Sequence, residues 1–247
     1  MKTRVSIAGL VLLLLAIPAT GSAQAPQAPP KLYTGNFGAG FSLTGGNSDT
    51  ANFNLSGEMT RDPKTKNVIK LNGFYLRSSA NDLKTADRLT LGFRDEYTFS
   101  KRTFVYGAMG YMRDPFKAIS YLLNPQGGLG YKPIMTDRAE FTVSGGAGAV
   151  WEKNPGTDVH SSGTLNAGEG FAYKITDTSK FIQGFAALWK TSDFNDALYH
   201  FNVALSTAIT KQAELKVEFV DDFKNVTPNP TIKKNDTAFI VSFLYKY

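Results

Sequence analysis

The sequence predicts an all-β fold: a closed, antiparallel β-barrel of outer-membrane type, with about twelve strands in one domain. Three observations carry that expectation. From Tyr33 to Tyr247 apolar residues recur with a period of two, which places one set on each face of a strand. The alternating segments run to about ten to fourteen residues, whereas globular strands average about five or six and membrane-spanning strands need about nine to eleven. Aromatics make up 13% of the chain and charged residues only 19%, yet the mean hydropathy is an ordinary −0.20. Strands with one oily and one polar face produce that combination.

At the N-terminus, Lys2 and Arg4 form a basic n-region, Val5 to Ile17 an apolar stretch interrupted by Ser6 and Gly9, and Gly21-Ser22-Ala23 the small residues of a cleavage site. This predicts a cleaved export signal over residues 1–23. The apolar run of about 13 residues is shorter than the roughly 20 that a spanning helix needs. Residues 24–32, rich in Pro, Ala and Gln, read as an extended, disordered leader before a barrel over 33–247.

The first strand is expected near 33–44, where Tyr33, Phe37, Ala39, Phe41 and Leu43 alternate with Thr34, Asn36, Gly38, Gly40 and Ser42. The second, 50–60, sets Ala51, Phe53, Leu55 and Met59 against Asn52, Asn54, Ser56 and Glu58; a third follows over 67–77. The fourth, 87–99, carries Leu89, Leu91, Phe93, Tyr97 and Phe99 on one parity, and strands over 103–113 and 119–131 come next. Parity resumes in 138–151 (Phe141, Val143, Ala147, Ala149, Trp151) and 162–175 (Leu165, Ala167, Phe171, Tyr173). Strands over 180–191, 197–209 (Tyr199, Phe201, Val203, Leu205, Ile209), 213–224 and 236–247 complete the set. Connections such as Ser100-Lys101-Arg102 are tight, whereas 78–86, 152–161 and 225–235 are longer and polar. Short turns at one end and longer loops at the other is the outer-membrane pattern, and an even strand count returns both termini to the periplasm.

In such a barrel the oily face meets lipid and the polar face lines the lumen. Tyr33, Tyr97, Phe99, Tyr131, Trp151, Tyr173, Trp189, Tyr199, Tyr245 and Tyr247 lie near strand ends, as two interfacial girdles would require. The last strand ends with aromatics at Phe239, Phe243, Tyr245 and Tyr247. That ending resembles the C-terminal recognition signal of outer-membrane barrels, which implies the barrel-assembly machinery as a partner during insertion.

Glu58, Lys70, Arg88, Arg94, Glu96, Glu140, Lys190, His200, Glu214, Lys216 and Glu218 fall on the polar face and are the candidate lumen-lining residues. They can line a solute pathway, or pair across the lumen and seal it. Lys70, Arg88 and Arg94 lie on adjacent strands three and four, so a local basic patch is expected there. Strands five, nine and twelve are apolar on both faces (Met112, Leu188, Ile240 and Leu244 among others), which argues against a wide porin. Asp95 and Glu169 share the parity of the oily face, at matching places in a faint repeat of Leu89–Phe99 with Leu165–Ile175. A β-bulge that turns each acid inward is the expected resolution.

The absence of Cys excludes disulfides, Fe–S clusters and thiolate zinc sites, and two histidines, His160 and His200, leave no multi-histidine centre. No cofactor or metal is expected. Of the net charge of +6, two charges belong to Lys2 and Arg4, and no nucleic-acid signature remains. His160-Ser161-Ser162 invites comparison with lipid hydrolases, but no third orienting group accompanies it.

Three motifs narrow the reading further. Gly46-Asn47-Ser48-Asp49-Thr50, Tyr111-Met112-Arg113-Asp114-Pro115-Phe116 and Gly128-Leu129-Gly130-Tyr131 resemble domain-of-unknown-function family 481, labelled salt-induced outer-membrane proteins. The resemblance covers roughly Tyr33 to Tyr247. It implies an outer-membrane barrel of a Gram-negative bacterium and brings no catalytic or ligand residues. The expectation is therefore a non-enzymatic barrel with a narrow, mixed-charge lumen that passes small solutes or serves envelope stress. A sealed structural barrel is the alternative, and a lipid hydrolase the third choice. Outer-membrane lipids and lipopolysaccharide are the expected surroundings.

Overall fold

Long alternating strands can satisfy their backbone only by pairing with one another, and a barrel leaves none of them at an edge. The structure, a computed structural model, describes residues 32–45, 50–80, 83–227 and 229–247. The expected export signal, and the leader up to residue 31, lie outside the described residues. The strands are β1 (Tyr33–Gly45), β2 (Thr50–Arg61), β3 (Asn67–Ala80), β4 (Leu83–Thr98), β5 (Thr103–Asp114) and β6 (Ile119–Met135), then β7 (Ala139–Lys153), β8 (Val159–Lys174), β9 (Ser179–Lys190), β10 (Asp193–Ala208), β11 (Ala213–Lys224) and β12 (Asn235–Lys246). Each pairs antiparallel with its sequence neighbours, and β1 pairs with β12 from Asn36↔Lys246 to Gly45↔Thr237, closing the barrel.

The end that carries Leu32 and Tyr247, called here the terminal end, is made of tight turns with a shared local chemistry. Thr136, Thr176 and Thr210 each accept a hydrogen bond at Oγ1 from the backbone N–H three residues on, at 2.9 Å, and Ser100 does the same for Thr103 at 3.2 Å. In the turn after β2, Asp62 accepts from the Lys64 N–H (2.8 Å) and from its Nζ (2.7 Å), and the Lys64 side chain holds the Asp62 carboxyl below its usual range. The opposite end, the loop end, differs from expectation. The polar stretches 78–86 and 152–161 are mostly strand, because β3, β4, β7 and β8 continue to Ala80, from Leu83, to Lys153 and from Val159. Backbone groups at that rim thereby find ladder partners, and among the described residues the longest connection there follows β11 at Lys224 and ends at β12.

Odd-numbered residues of most strands face outward and even-numbered ones inward. Leu129, Leu205 and Phe243 are 62%, 53% and 64% exposed, whereas Asn54, Glu152 and Thr164 are buried. The outer face carries Tyr33, Tyr97, Tyr131, Tyr173, Tyr245 and Tyr247 towards the terminal end, and Trp151, Trp189, Tyr199 and Phe223 towards the loop end. Trp189 Nε1 donates to the Tyr199 hydroxyl at 3.0 Å.

Asp95 and Glu169 correct the expectation of a bulge. The ladders shift register between Ser78/Ser79, Met112/Asp114, Tyr131/Ile134 and Asp193/Ala197, but run unbroken past both acids. Both carboxylates stay on the outer face, each satisfied by an amide from the adjacent strand: Asn67 Nδ2 donates to Asp95 at 2.5 Å, and Gln183 Nε2 donates to Glu169. One side-chain hydrogen bond replaces a distortion of the whole ladder. Glu169 stands four residues from Tyr173 and four from Leu165, the cross-strand partner of Trp189, so it sits midway between the two girdles.

Strand β6 contains Pro125, which has no N–H to donate, and the β6–β7 pairing skips Asn124 and Pro125. The Asn124 side chain fills the gap, donating to the Ala149 carbonyl at 2.8 Å. Inside β5–β7, Gly130 lies beneath the Phe104 ring, where any Cβ would collide with it. Ile119, Leu122 and Val150 form a small core at the loop end, with Met112 and Leu198 packed against it.

Replacing Asn124 with Ala should lower the unfolding free energy in lipid vesicles by about 1–3 kcal/mol, the cost of an orphaned buried carbonyl; urea titration of refolded protein measures it. Gln183→Leu, which strands a carboxylate in hydrocarbon, should destabilise by a similar amount, about 1–3 kcal/mol. The pair Glu169→Leu/Gln183→Leu should be neutral or stabilising. Equal losses from the single and double changes would contradict the outward pairing.

Candidate functional site

The inward parity of twelve strands collects the polar residues in the lumen, where an unpaired charge is unfavourable. In the terminal half, charges pair along the wall. Lys70 on β3 places Nζ 2.9 Å from both oxygens of Glu96 on β4, and Arg94 reaches the same carboxylate at 2.7 Å. The Arg94 guanidinium also lies 3.8 Å from the centroid of the Tyr106 ring, a cation–π contact. Glu214 is held by Lys246 at 2.8 Å and Lys180 at 3.4 Å, Lys132 pairs with Glu140 at 2.9 Å, and Lys216 with Glu218 at 2.9 Å. Asn36 donates to Glu58, and Asn202 to Glu218, each at 3.1 Å.

At the loop end the pairs cross the lumen. Asp222 on β11 is bound by Arg88 on β4, five steps away round a twelve-strand ring, and by His200 Nδ1 on β10 at 2.8 Å. Between β5 and β6 the chain folds inward through a short 3-10 turn, Pro115–Lys117. Asp114 caps it, accepting from the Phe116 and Lys117 N–H groups at 3.1 and 3.2 Å, and Pro115 supplies a preset φ. Ala118 closes the turn in the left-handed region (φ +54). The turn delivers Lys117, 5% exposed, to the backbone carbonyl of Asp222 at 2.9 Å and to Asp236 on β12 at 3.6 Å. β5 and β11, and β6 and β12, are diametrically opposed. Beside this bridge, Glu152 on β7 accepts from Lys190 on β9 (2.6 Å) and from Lys224 on β11, and Lys190 also binds Asp196 at 2.6 Å.

A cavity of about 460 Å³ lies in the lumen, lined by Arg94 and Tyr106 from the terminal-half cluster, by Arg88, Lys117 and Asp222 from the loop-end layer, by the apolar Ile119, Leu122 and Leu198, and by Asn166. That volume suits a small solute. Among the described residues, no group of three His, Asp or Glu side chains is placed to hold a metal. His160 and Ser161 are consecutive residues of β8 and point to opposite faces, and Ser162 Oγ donates to the Gly163 carbonyl. They do not converge.

Each candidate read from the sequence thus has a place on the inner wall, but the basic patch does not form. Lys70 and Arg94 clamp the acid between them, and Arg88 is drawn to the far wall by Asp222. An isolated cluster of like charges in a confined interior would be repulsive, and acids within reach remove it. Sequence reasoning missed Asp114, Lys117, Glu152, Asp196, Asp222, Lys224 and Asp236. Asp222 and Lys224 already lie on the even parity of the expected strand 213–224, and extending the strand over 138–151 by one residue would have found Glu152. Asp114-Pro115 was the available sign of a capped turn.

Comparison with known proteins agrees with this architecture. The family described as "Protein of unknown function, DUF481" matches residues 37–247. The uncharacterized protein YdiY of Escherichia coli (strain K12) is 22% identical over 224 residues, 89% of this chain and 85% of its own. The NanC porin superposes with a TM-score of 0.59 at 10% identity, over 85% of this chain and all of that one. The COG4313 outer membrane channel from Pseudomonas putida F1 gives 0.54 at 12% identity, over 91% and 100%. The match over nearly the whole barrel shows the family, and the chain belongs to it.

Proposed function

We propose that this member of the DUF481 family is a non-enzymatic outer-membrane channel of low conductance, closed at its loop end by a layer of side-chain ion pairs. The observation that carries the reading is the bridge from Arg88 and Lys117 to Asp222 and Asp236, spanning the lumen above a solute-sized cavity. Flexible side chains and one three-residue turn make the closure. The porin and channel whose folds it shares support a conducting role. Export by the signal over residues 1–23 would deliver the chain, and the exposed aromatics Phe239, Phe243, Tyr245 and Tyr247 would present the assembly signal. On this reading the termini and tight turns face the periplasm, and the loop end faces the cell exterior.

The sealed barrel is the second reading, favoured by the apolar core of Ile119, Leu122 and Val150 beside the bridge. Planar bilayers separate the two. Wild-type protein should show small, discrete openings, and Arg88→Ala/Asp222→Ala, which removes both partners and strands neither, should raise conductance by about twofold or more. Asp222→Ala alone leaves Arg88 without its acid and should destabilise the fold by about 3–5 kcal/mol. If wild type and double variant both insert fully without conducting, the channel is rejected and the sealed barrel stands. N-terminal sequencing of membrane-extracted protein should begin at Gln24.

A further inference from the structure

The loop-end girdle is interrupted. On β7 to β11 it is aromatic: Trp151, Trp189, Tyr199 and Phe223. On β3 to β5 the outward positions near the loop-end strand termini are instead Arg77, Asp87 and Arg113, with Arg77 opposite Asp87 and Arg113 opposite Leu89. A register shift adds a third cation. The ladder passes from Ser78↔Ala86 to Ser79↔Lys84, leaving Thr85 as an extra residue. Lys84 therefore escapes the inward parity of Ala86 and turns out to Asp87, at 3.3 Å. Arg113 Nη1 is 3.2 Å from the other Asp87 oxygen. Two cations thus hold one carboxylate that is itself 7% exposed, and Arg77 faces Asp87 across the ladder as a third; the side chains of Lys84 and Arg113 are 53% and 41% exposed, and Arg77 is exposed too.

A single acid cannot neutralise this cluster, and a lipid-facing cation without an anion is unfavourable. Just below lie Tyr75, Leu89, Leu91 and Tyr111, a surface for acyl chains. We propose that Arg77, Lys84 and Arg113, arranged around Asp87, bind the phosphate group of an anionic lipid in the leaflet that meets the loop end. Asp87 spaces the cations, and their outward donors face a tetrahedral anion, which guanidinium groups match bidentately. Free phosphate offers the same oxygens, but the continuous apolar wall beneath selects a headgroup with tails. The proposal rests on the outer-membrane reading and is independent of conduction.

The test uses detergent-solubilised protein with a phosphorylated lipid A-type glycolipid, its dephosphorylated form, zwitterionic phosphatidylcholine or inorganic phosphate, with binding read by native mass spectrometry. The phosphorylated glycolipid should bind wild type preferentially, and Arg77→Ala/Arg113→Ala should weaken it by about tenfold or more. Lys84→Gln, at an exposed rim position, gives a smaller loss in the same direction without threatening the fold. Heat-modifiable migration on gels verifies folding. Undiminished binding by the folded variants, or equal binding of the dephosphorylated lipid, would overturn the assignment. Displacement of the glycolipid by millimolar inorganic phosphate would make this a free-anion site and overturn the lipid. A barrel that conducts but binds no phosphorylated lipid would sink this proposal alone.

Discussion

No strand in a hydrocarbon layer can leave its N–H and C=O groups unpaired, and joining β1 to β12 is how this chain meets that condition. The rest of the structure depends on that closure. A closed ladder fixes a period of two, and the period divides every strand into a lipid-facing and a lumen-facing set. Local chemistry then satisfies groups that the ladder and its parity leave without a partner. The Asn124 amide stands in beside Pro125, hydroxyls close the terminal turns, and amides from Asn67 and Gln183 accompany the two acids left on the outer wall.

Closure also concentrates charge where water is scarce, and the lumen resolves this in one consistent way. The carboxylates are short and lie against the wall: Glu96, Glu152, Glu214 and Asp222 are each at most 8% exposed. Each is held by two cations, or by a cation and a histidine. Lys and Arg supply the reach, since a long stem can cross space that an acid cannot. Mixed charge inside a barrel therefore does not mean that the charges are available to a solute. In this protein most are committed to one another.

The fold was legible because parity is a strong signal: strand number and order follow from it, and tight connections such as Ser100-Lys101-Arg102 show where one strand turns into the next. What stayed hidden depended on partners distant in sequence. Nothing near Arg88 announces that it will meet Asp222, 134 residues on, and a patch with Lys70 and Arg94 was the natural local inference. Asp95 and Glu169 were misread for the same reason, because the amides that satisfy them lie 28 and 14 residues away. Lys117 belongs to a turn, where parity carries no information, and its direction is set by the cap at Asp114.

The two halves of the lumen differ in how their pairs span space, and that difference bears on what could move. In the terminal half, partners come from the same strand, from adjacent strands, or from strands two apart, so they hug the wall. At the loop end some pairs also bridge strands five and six steps apart, Arg88 to Asp222 and Lys117 to Asp236. Breaking one buried pair outright would strand a charge at a cost of about 3–5 kcal/mol. Asp222, however, holds Arg88 and His200 on its carboxylate and Lys117 on its carbonyl, so one partner can leave while the acid stays engaged. On the proposed reading, this redundancy is what allows a layer of side chains to act as a closure that can open. The strands need not separate, because the cations have only to exchange partners and the Pro115–Lys117 turn to withdraw.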